Sequence, residues 1–246
     1  DAITKYPEDA LPAYFLATEI YAGKNSPKKD YSKTAEFFAK ALEMDALTEE
    51  DQKLEEPIMS QDKDGNIKEL TTIKEGIKYY SYSLWAESFN KGIELVSLAN
   101  EQSSNSNGPN QKILNQAIES FVLASALKSD EAATYNALAT IYFENEDYNA
   151  CIQSADKGLE LDPSLSTLWS IKATIAMQNN NNIEAEEMFR QAYNVAIQAN
   201  ESPENISAHM SRLFDVLFKN DKKDEALLLS EQLIASDPEN VDLYRN

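Results

Sequence analysis

Among the 246 residues there is one histidine, His209, and one cysteine, Cys151. Metal sites need several such ligands converging, so no multi-histidine zinc site, H-E-x-x-H helix or C-x-x-C redox motif can be assembled. A Ser-His-Asp relay would have to use His209, which lies between Ala208 and Met210 in a helical pattern with no nucleophile-elbow sequence beside it. The glycines fall at 23, 65, 76, 92, 108 and 158, too scattered for a loop that cradles phosphate. Asp62-Lys63-Asp64-Gly65 begins like a calcium loop, but its glycine comes too early. Carboxylates are so abundant that choosing two as an acid and a base would be arbitrary. Asn200-Glu201-Ser202 and Asn205-Ile206-Ser207 match glycosylation sequons, as chance allows in a chain rich in Asn and Ser. These residues predict no enzyme, no metal and no cofactor.

The charge balance limits partners. With 22 basic against 42 acidic residues the net charge is −20, a field that repels phosphate backbones and anionic lipid. Nucleic acid and membrane surfaces are therefore excluded as expected partners. The excess keeps the surface solvated, or it selects a basic partner. A lone cysteine forms no internal disulfide, so cytoplasmic and extracytoplasmic settings both remain open. No stretch approaches the ~18 apolar residues of a membrane span. Hydrophobic residues make up 42%, enough for a sizeable interior, while only 6 Gly and 8 Pro leave few tight turns. That scarcity favours helices over a many-stranded sandwich.

Self-similarity organises the rest. Ala117, Cys151 and Ala185 are spaced 34 apart, as are Phe121, Ala155 and Phe189, and Ala124, Gly158 and Ala192. Tyr135 and Trp169 keep that offset, as do Ala139 and Ala173. Residues 132–163 read Tyr135-x2-Leu138-Ala139-x2-Tyr142, then Cys151-x3-Ala155-x2-Gly158, then Asp162-Pro163. This resembles the tetratricopeptide repeat family, whose 34-residue unit is a helical hairpin of pattern W-x2-L-G-x2-Y, A-x3-F, P. The resemblance implies an all-α, right-handed superhelical solenoid of about five hairpins. Small residues are expected where the two helices of a hairpin cross: Ala139 and Ala173 on first helices, Cys151, Ala185 and Ala226 on second helices. Cys151 is thus a buried small hydrophobe, and His209 a structural residue. Tyr135, Trp169, Phe121 and Phe189 are expected to fill the space between hairpins.

Repeats are placed at 10–45, 78–129, 132–163, 166–200 and 203–238, with 1–9 as the tail of a preceding unit. Residues 239–246, from Val241-Asp242-Leu243-Tyr244, read as the start of a further helix, so the chain is expected to be an excerpt of a longer array. The repeat at 78–129 is degenerate: a first helix near 78–100 with Trp85 and Gly92, a loop at 99–111, then Ala117, Phe121 and Ala124. The repeat at 203–238 is offset from its predecessor by 41 rather than 34, which predicts a long helix ending near Asn200. Residues 46–77 break the pattern and are expected to be an irregular acidic insertion. Its Asp64-Gly65 could instead turn a short β-hairpin between Ile58-Met59 and Ile67, and a structured loop is a further alternative.

On each first helix a trio at i, i+4 and i+7 shares a face distinct from the packing residues: Tyr14, Thr18 and Tyr21; Asn136, Thr140 and Phe143; Ser170, Thr174 and Met177; Ser211, Asp215 and Phe218. In the family resembled, that face lines the concave groove, where extended or helical segments of partners bind. The expected function is therefore a non-catalytic protein-interaction scaffold with a peptide-binding groove. Alternatively it is an architectural subunit using convex faces or chain ends, and a closed polar pocket would instead point to a small molecule. The chaperone-type carboxylate clamp is not carried over: Asn136 stands where a lysine is needed, Ser170 is uncharged, and only Arg212 is basic nearby.

Overall fold

The structure, a computed structural model, describes residues 2–5, 7–62, 64–103 and 110–236. The chain divides into two compact units, Asp1–Asp130 and Glu131–Asn246. The fold is all-α apart from one two-stranded sheet.

In the second unit the repeat is plain. Helices α6 (Ala132–Glu144), α7 (Tyr148–Leu161), α8 (Ser166–Gln178), α9 (Asn182–Gln198), α10 (Pro203–Lys219) and α11 (Lys223–Ser236) pair as three successive hairpins. Each first helix ends in the same turn. Glu146, Asn180 and Asp221 adopt φ of 59°, 60° and 60°, and the next residue's N–H returns to a carbonyl five residues back, as from Asp147 to Tyr142. That left-handed cap satisfies carbonyls the helix would otherwise leave unpaired. Asp147 and Ser202 cap the following helices with their side-chain oxygens.

The crossing positions are sealed. Ala139, Cys151, Ala173 and Ala185 have no exposed surface and Ala226 almost none, so the helix backbones approach closely there. Phe121 and Phe189 are buried. Tyr135 and Trp169 are only half-buried, and Trp169 spends its indole N–H on the Pro163 carbonyl at 3.0 Å. Trp169 nonetheless packs against the cluster that holds Ala139, Cys151 and Ala155 of the preceding hairpin, as expected of a residue between hairpins.

The seven surplus residues of the last repeat do not all lengthen one helix. Helix α9 has 17 residues against 14 in α7, and α10 has 17 against 13 in α8. The second helix thus gains about a turn, with no proline to stop it where Ile197 stands, and the next first helix gains another.

The first unit departs further from the repeat. Short helices α1 (Ala2–Lys5) and α2 (Leu11–Phe15) lead into a π-helical turn, Leu16–Tyr21, and then α3 (Tyr31–Asp45), capped by Asp30. The segment 46–77 is not irregular: β1 (Lys53–Gln61) and β2 (Ile67–Thr72) pair as an antiparallel hairpin. The turn is built by Asp62, whose carboxylate accepts from the N–H groups of Asp64 and Asn66 and from the Asn66 amide, with Gly65 at φ 86°. These three hydrogen bonds hold the Asp62 carboxylate within the turn. Helix α4 (Ile73–Ser103) starts directly from β2, earlier than residue 78, because Glu75 caps it by accepting from Thr71 and Thr72 N–H. Hydrogen bonds from Thr71 and Lys68 pull the Glu75 carboxyl down to about 2. Helix α5 (Gln111–Leu127) packs along α4. The core of this unit gathers Ala13, Ala17, Phe38, Ala41, Ile73, Ile77 and Leu84. The expected loop residues 104–109, the closing Asp237-Pro238 and the helix start at 239–246 lie outside the described residues.

Candidate functional site

Tyr14, Thr18 and Tyr21 belong to the first unit, where the π-helical turn sets their directions. Its widened spacing is fixed by the Ala22 N–H reaching the Ala17 carbonyl at 2.8 Å. Such turns are rare and recur at functional sites. Tyr14 is half-buried, 6.4 Å from the Phe38 ring and 6.5 Å from Tyr80. It lies over Gly76 of α4, where a Cβ would come within 2.7 Å of the tyrosine oxygen. Burial, then Tyr80 and Glu19, raises its hydroxyl well above the ordinary tyrosine range. Thr18 is buried and donates to the Tyr14 carbonyl at 3.0 Å. Tyr21 stacks on Phe37 at 5.3 Å, with the Lys33 ammonium 5.3 Å from its ring.

Tyr14 and Thr18 open onto a groove of about 1070 Å³. Its floor is apolar, from Leu11, Leu16 and Tyr80, and Phe15 stands 56% exposed at its edge. The opposite wall is β1, through Leu54, Pro57 and Ile58. Asp9, Glu19, Glu55 and Glu56 supply the charge. The wall is tied to the floor by Gln52. Its side-chain oxygen accepts from Ala10 N–H at 2.9 Å, and its amide donates to the Glu8 carbonyl at 2.6 Å. Its own N–H donates to buried Asp45 at 2.7 Å, and its carbonyl accepts from Ile73 at 2.8 Å.

In the second unit the other trios sit on α6, α8 and α10. Thr140 and Thr174 repeat what Thr18 does, donating to the carbonyls of Asn136 and Ser170 at 2.9 and 2.8 Å. All three threonines therefore keep only acceptor capacity for a partner. Ser170 is buried and accepts from Arg212 at 3.1 Å, which joins α8 to α10. The Asn136 Oδ1 is shielded from water without a hydrogen-bond partner. Phe143, half-buried, packs 6.0 Å from Tyr148, and Met177 lies against the cluster of Phe189 and Leu213. Both contribute to core packing as well as to the face. Phe218 alone among these apolar residues stands largely clear, 58% exposed and stacked on Phe214 at 6.4 Å. Ser211 is half-buried, and Asp215 is exposed. The Asp215 carboxyl is pushed up by desolvation, against the pull of Lys219.

His209 is buried beside Ser166, Nε2 to Oγ at 3.1 Å, and Ser166 donates to Glu201 at 2.5 Å. With the serine proton on the carboxylate, the Nε2–Oγ contact is made with Nε2 as donor. Nδ1 is left buried without a partner. The Cys151 thiol is buried too, and burial with Asp147 pushes it up to about 11, far from a thiolate. Among the described residues no His, Cys, Asp and Glu cluster could hold a metal, and no helix is long and apolar enough to cross a membrane.

Sequence reasoning missed the hairpin wall, with Glu55, Glu56 and Pro57, and also Phe15, Glu19 and Tyr80. The available signal was Leu54-Glu55-Glu56-Pro57-Ile58, since proline within a strand pattern marks an edge or bulge.

Helical hairpins stacked in this way define the class of α-helical repeat proteins. Residues 132–165 match the family model described as tetratricopeptide repeat. No curated protein sequence matches the chain. Among solved structures, the pilF protein of Pseudomonas aeruginosa is 14% identical with a TM-score of 0.51, over 66% of this chain and 65% of that one. YrrB, a TPR protein with an unusual peptide-binding site, is 13% identical with a TM-score of 0.48, over 99% of this chain and 94% of that one. MamA is 12% identical with a TM-score of 0.49, over 94% of both chains. At such identities likeness speaks for the fold alone. Residues 132–165 are thus one tetratricopeptide-type repeat, and the hairpins α8–α9 and α10–α11 keep its two-helix form.

Proposed function

We propose that this protein is a non-catalytic scaffold that holds segments of protein partners on the faces of its first helices. The observation that carries the reading is the groove of the first unit, where Tyr14 and Thr18 meet an exposed apolar residue, Phe15, on a floor fixed by Gln52. A groove of this size that joins an apolar floor to charged walls is what binding surfaces offer. In the second unit, Phe218 beside Asp215 gives a second anchor of the same kind. Rigid repeats leave most of the ordering entropy to the partner. His209 and Cys151 are buried and engaged in packing and internal hydrogen bonds.

The test is capture of proteins from the source cell on wild-type chain and on Phe15→Ala and Phe218→Ala variants, with mass spectrometry and circular dichroism. A partner retained by the wild type and lost from either variant, at unchanged helicity, supports the reading. Equal retention by all three defeats it.

A second reading has its own observation. Leu227 and Leu228 of α11 are 60% and 56% exposed, side by side on a second helix. As an architectural subunit the chain would use that face. Leu227→Ser with Leu228→Ser would then abolish an assembly seen by light scattering without affecting capture at Phe218.

A further inference from the structure

The groove of the first unit is lined by carboxylates that face one another across apolar surface. Glu19 projects from the π-helical turn, and Glu55 and Glu56 from β1 across the groove. Among the described residues none of these three takes part in the ion pairs of that unit, which join lysines to other acids. Between them lies apolar surface: Tyr14, Phe15 and Ile58. Glu19 also contributes, after burial and Tyr80, to raising the Tyr14 hydroxyl and, after burial, that of Tyr80.

The wall is a strand with a free edge. Among the described residues β1 pairs only with β2, and the register slips between Lys53↔Thr72 and Ile58↔Leu70. Leu54–Pro57 therefore bulges out of the ladder, on the groove side. Pro57 has no N–H to offer and a bulge does not template a ladder, so the groove would take an extended segment through side-chain contacts rather than by strand addition. The carboxylates decide which segment. A second copy of this hairpin would bring Glu55 and Glu56 against their own kind, as charges on an edge commonly prevent.

We propose that this groove binds an extended protein segment in which lysine or arginine alternates with apolar residues. The cationic heads lie between Glu19 and the Glu55–Glu56 pair, and the apolar side chains rest on Tyr14, Phe15 and Ile58. The proposal rests on the scaffold reading and adds the chemical class of the partner. Gln52 gives the site its preorganisation, because it holds the strand wall to the start of α2 before any ligand arrives.

The experiment uses the full chain and three fluorescein-labelled decapeptides of alternating Lys–Leu, Gln–Leu and Glu–Leu, read by fluorescence anisotropy at low and high salt. The Lys–Leu peptide should bind with an affinity that salt weakens. The triple variant Glu19→Gln, Glu55→Gln, Glu56→Gln should weaken it about tenfold, whereas the charge-matched triple Glu119→Gln, Glu144→Gln, Glu187→Gln should not. Equal weakening by both triples overturns the proposal, since attraction to a net charge of −20 would then be the whole effect. Equal affinity for the Gln–Leu peptide, still lost in Phe15→Ala, removes the cationic class and leaves the scaffold reading standing. No dependence on Phe15 or on the three glutamates sinks both for this unit. Displacement by spermine at the peptide's own affinity gives the site to a small polyamine instead. Self-association abolished by the Glu19, Glu55 and Glu56 variant gives it to a second copy.

Discussion

Residues in a repeat are chosen by the space and backbone they are given, and Cys151 shows this most directly. It fills a crossing where sister repeats place alanine, and its thiol is held at about 11. Cys151→Ala should shift stability little, while Cys151→Leu should cost about 1–3 kcal/mol by overpacking the crossing. Urea unfolding measures both, and the native thiol should resist a bulky maleimide until the chain unfolds. A second residue-scale prediction concerns Glu146. Its φ of 59° is a conformation that side chains with a Cβ enter at a cost, and unlike Asn180 it has no short amide suited to it. Glu146→Gly should stabilise the second unit by about 0.5–1 kcal/mol, the relief being partly offset by glycine's greater freedom when unfolded. A lower urea midpoint for the variant would contradict this account of the turn.

At the scale of elements, legibility followed the repeat. The hairpins α6–α7 and α8–α9 were readable because tight crossings demand small residues at a fixed period, and Ala139, Ala173, Cys151 and Ala185 obey it. The first unit was less readable because its elements are held by single polar contacts that have no period. Gln52 looks like any polar loop residue in sequence, yet its four hydrogen bonds fix the strand wall to α2, α3 and α4. The groove face was half legible for the same reason. Tyr14 and Thr18 followed from helical spacing, whereas Glu55 and Glu56 reach the groove only through a bulge that spacing does not encode. Gln52→Ala should therefore leave the helices intact while speeding amide exchange across 53–72 and weakening capture at Phe15. Unchanged exchange in that segment would mean that the β1–β2 pairing holds the wall unaided.

The molecule as a whole carries a net charge of −20, so its stability against pH is dominated by many carboxylates relaxing their repulsion, and two buried groups run against that trend. Glu186 is the acid-side case. Burial alone would raise its carboxyl, but hydrogen bonds from Lys222, Asn220 and Arg190 hold it at about 2, against 4.5 for an ordinary glutamate. Its contribution is complete above 4.5 and is lost as pH falls toward 2, on the order of 2–3 kcal/mol across the window. His209 acts nearer neutrality. Burial lowers its pKa below 6.5; Glu201 opposes this and Arg212 adds to it. Protonation would put a hydrogen on Nδ1 with no acceptor in reach. As pH drops below 6.5 the unfolded chain takes up this proton first, so stability falls until the folded pKa is passed and then levels. The test subtracts the shared background by comparing variants with wild type in urea unfolding from pH 7.5 down to 3. The wild type should lose its advantage over Glu186→Gln only below pH 4.5, and over His209→Gln in the window just below 6.5. A wild-type advantage over His209→Gln that stays constant from pH 7.5 to 5 would mean that the imidazole reaches water when it is protonated.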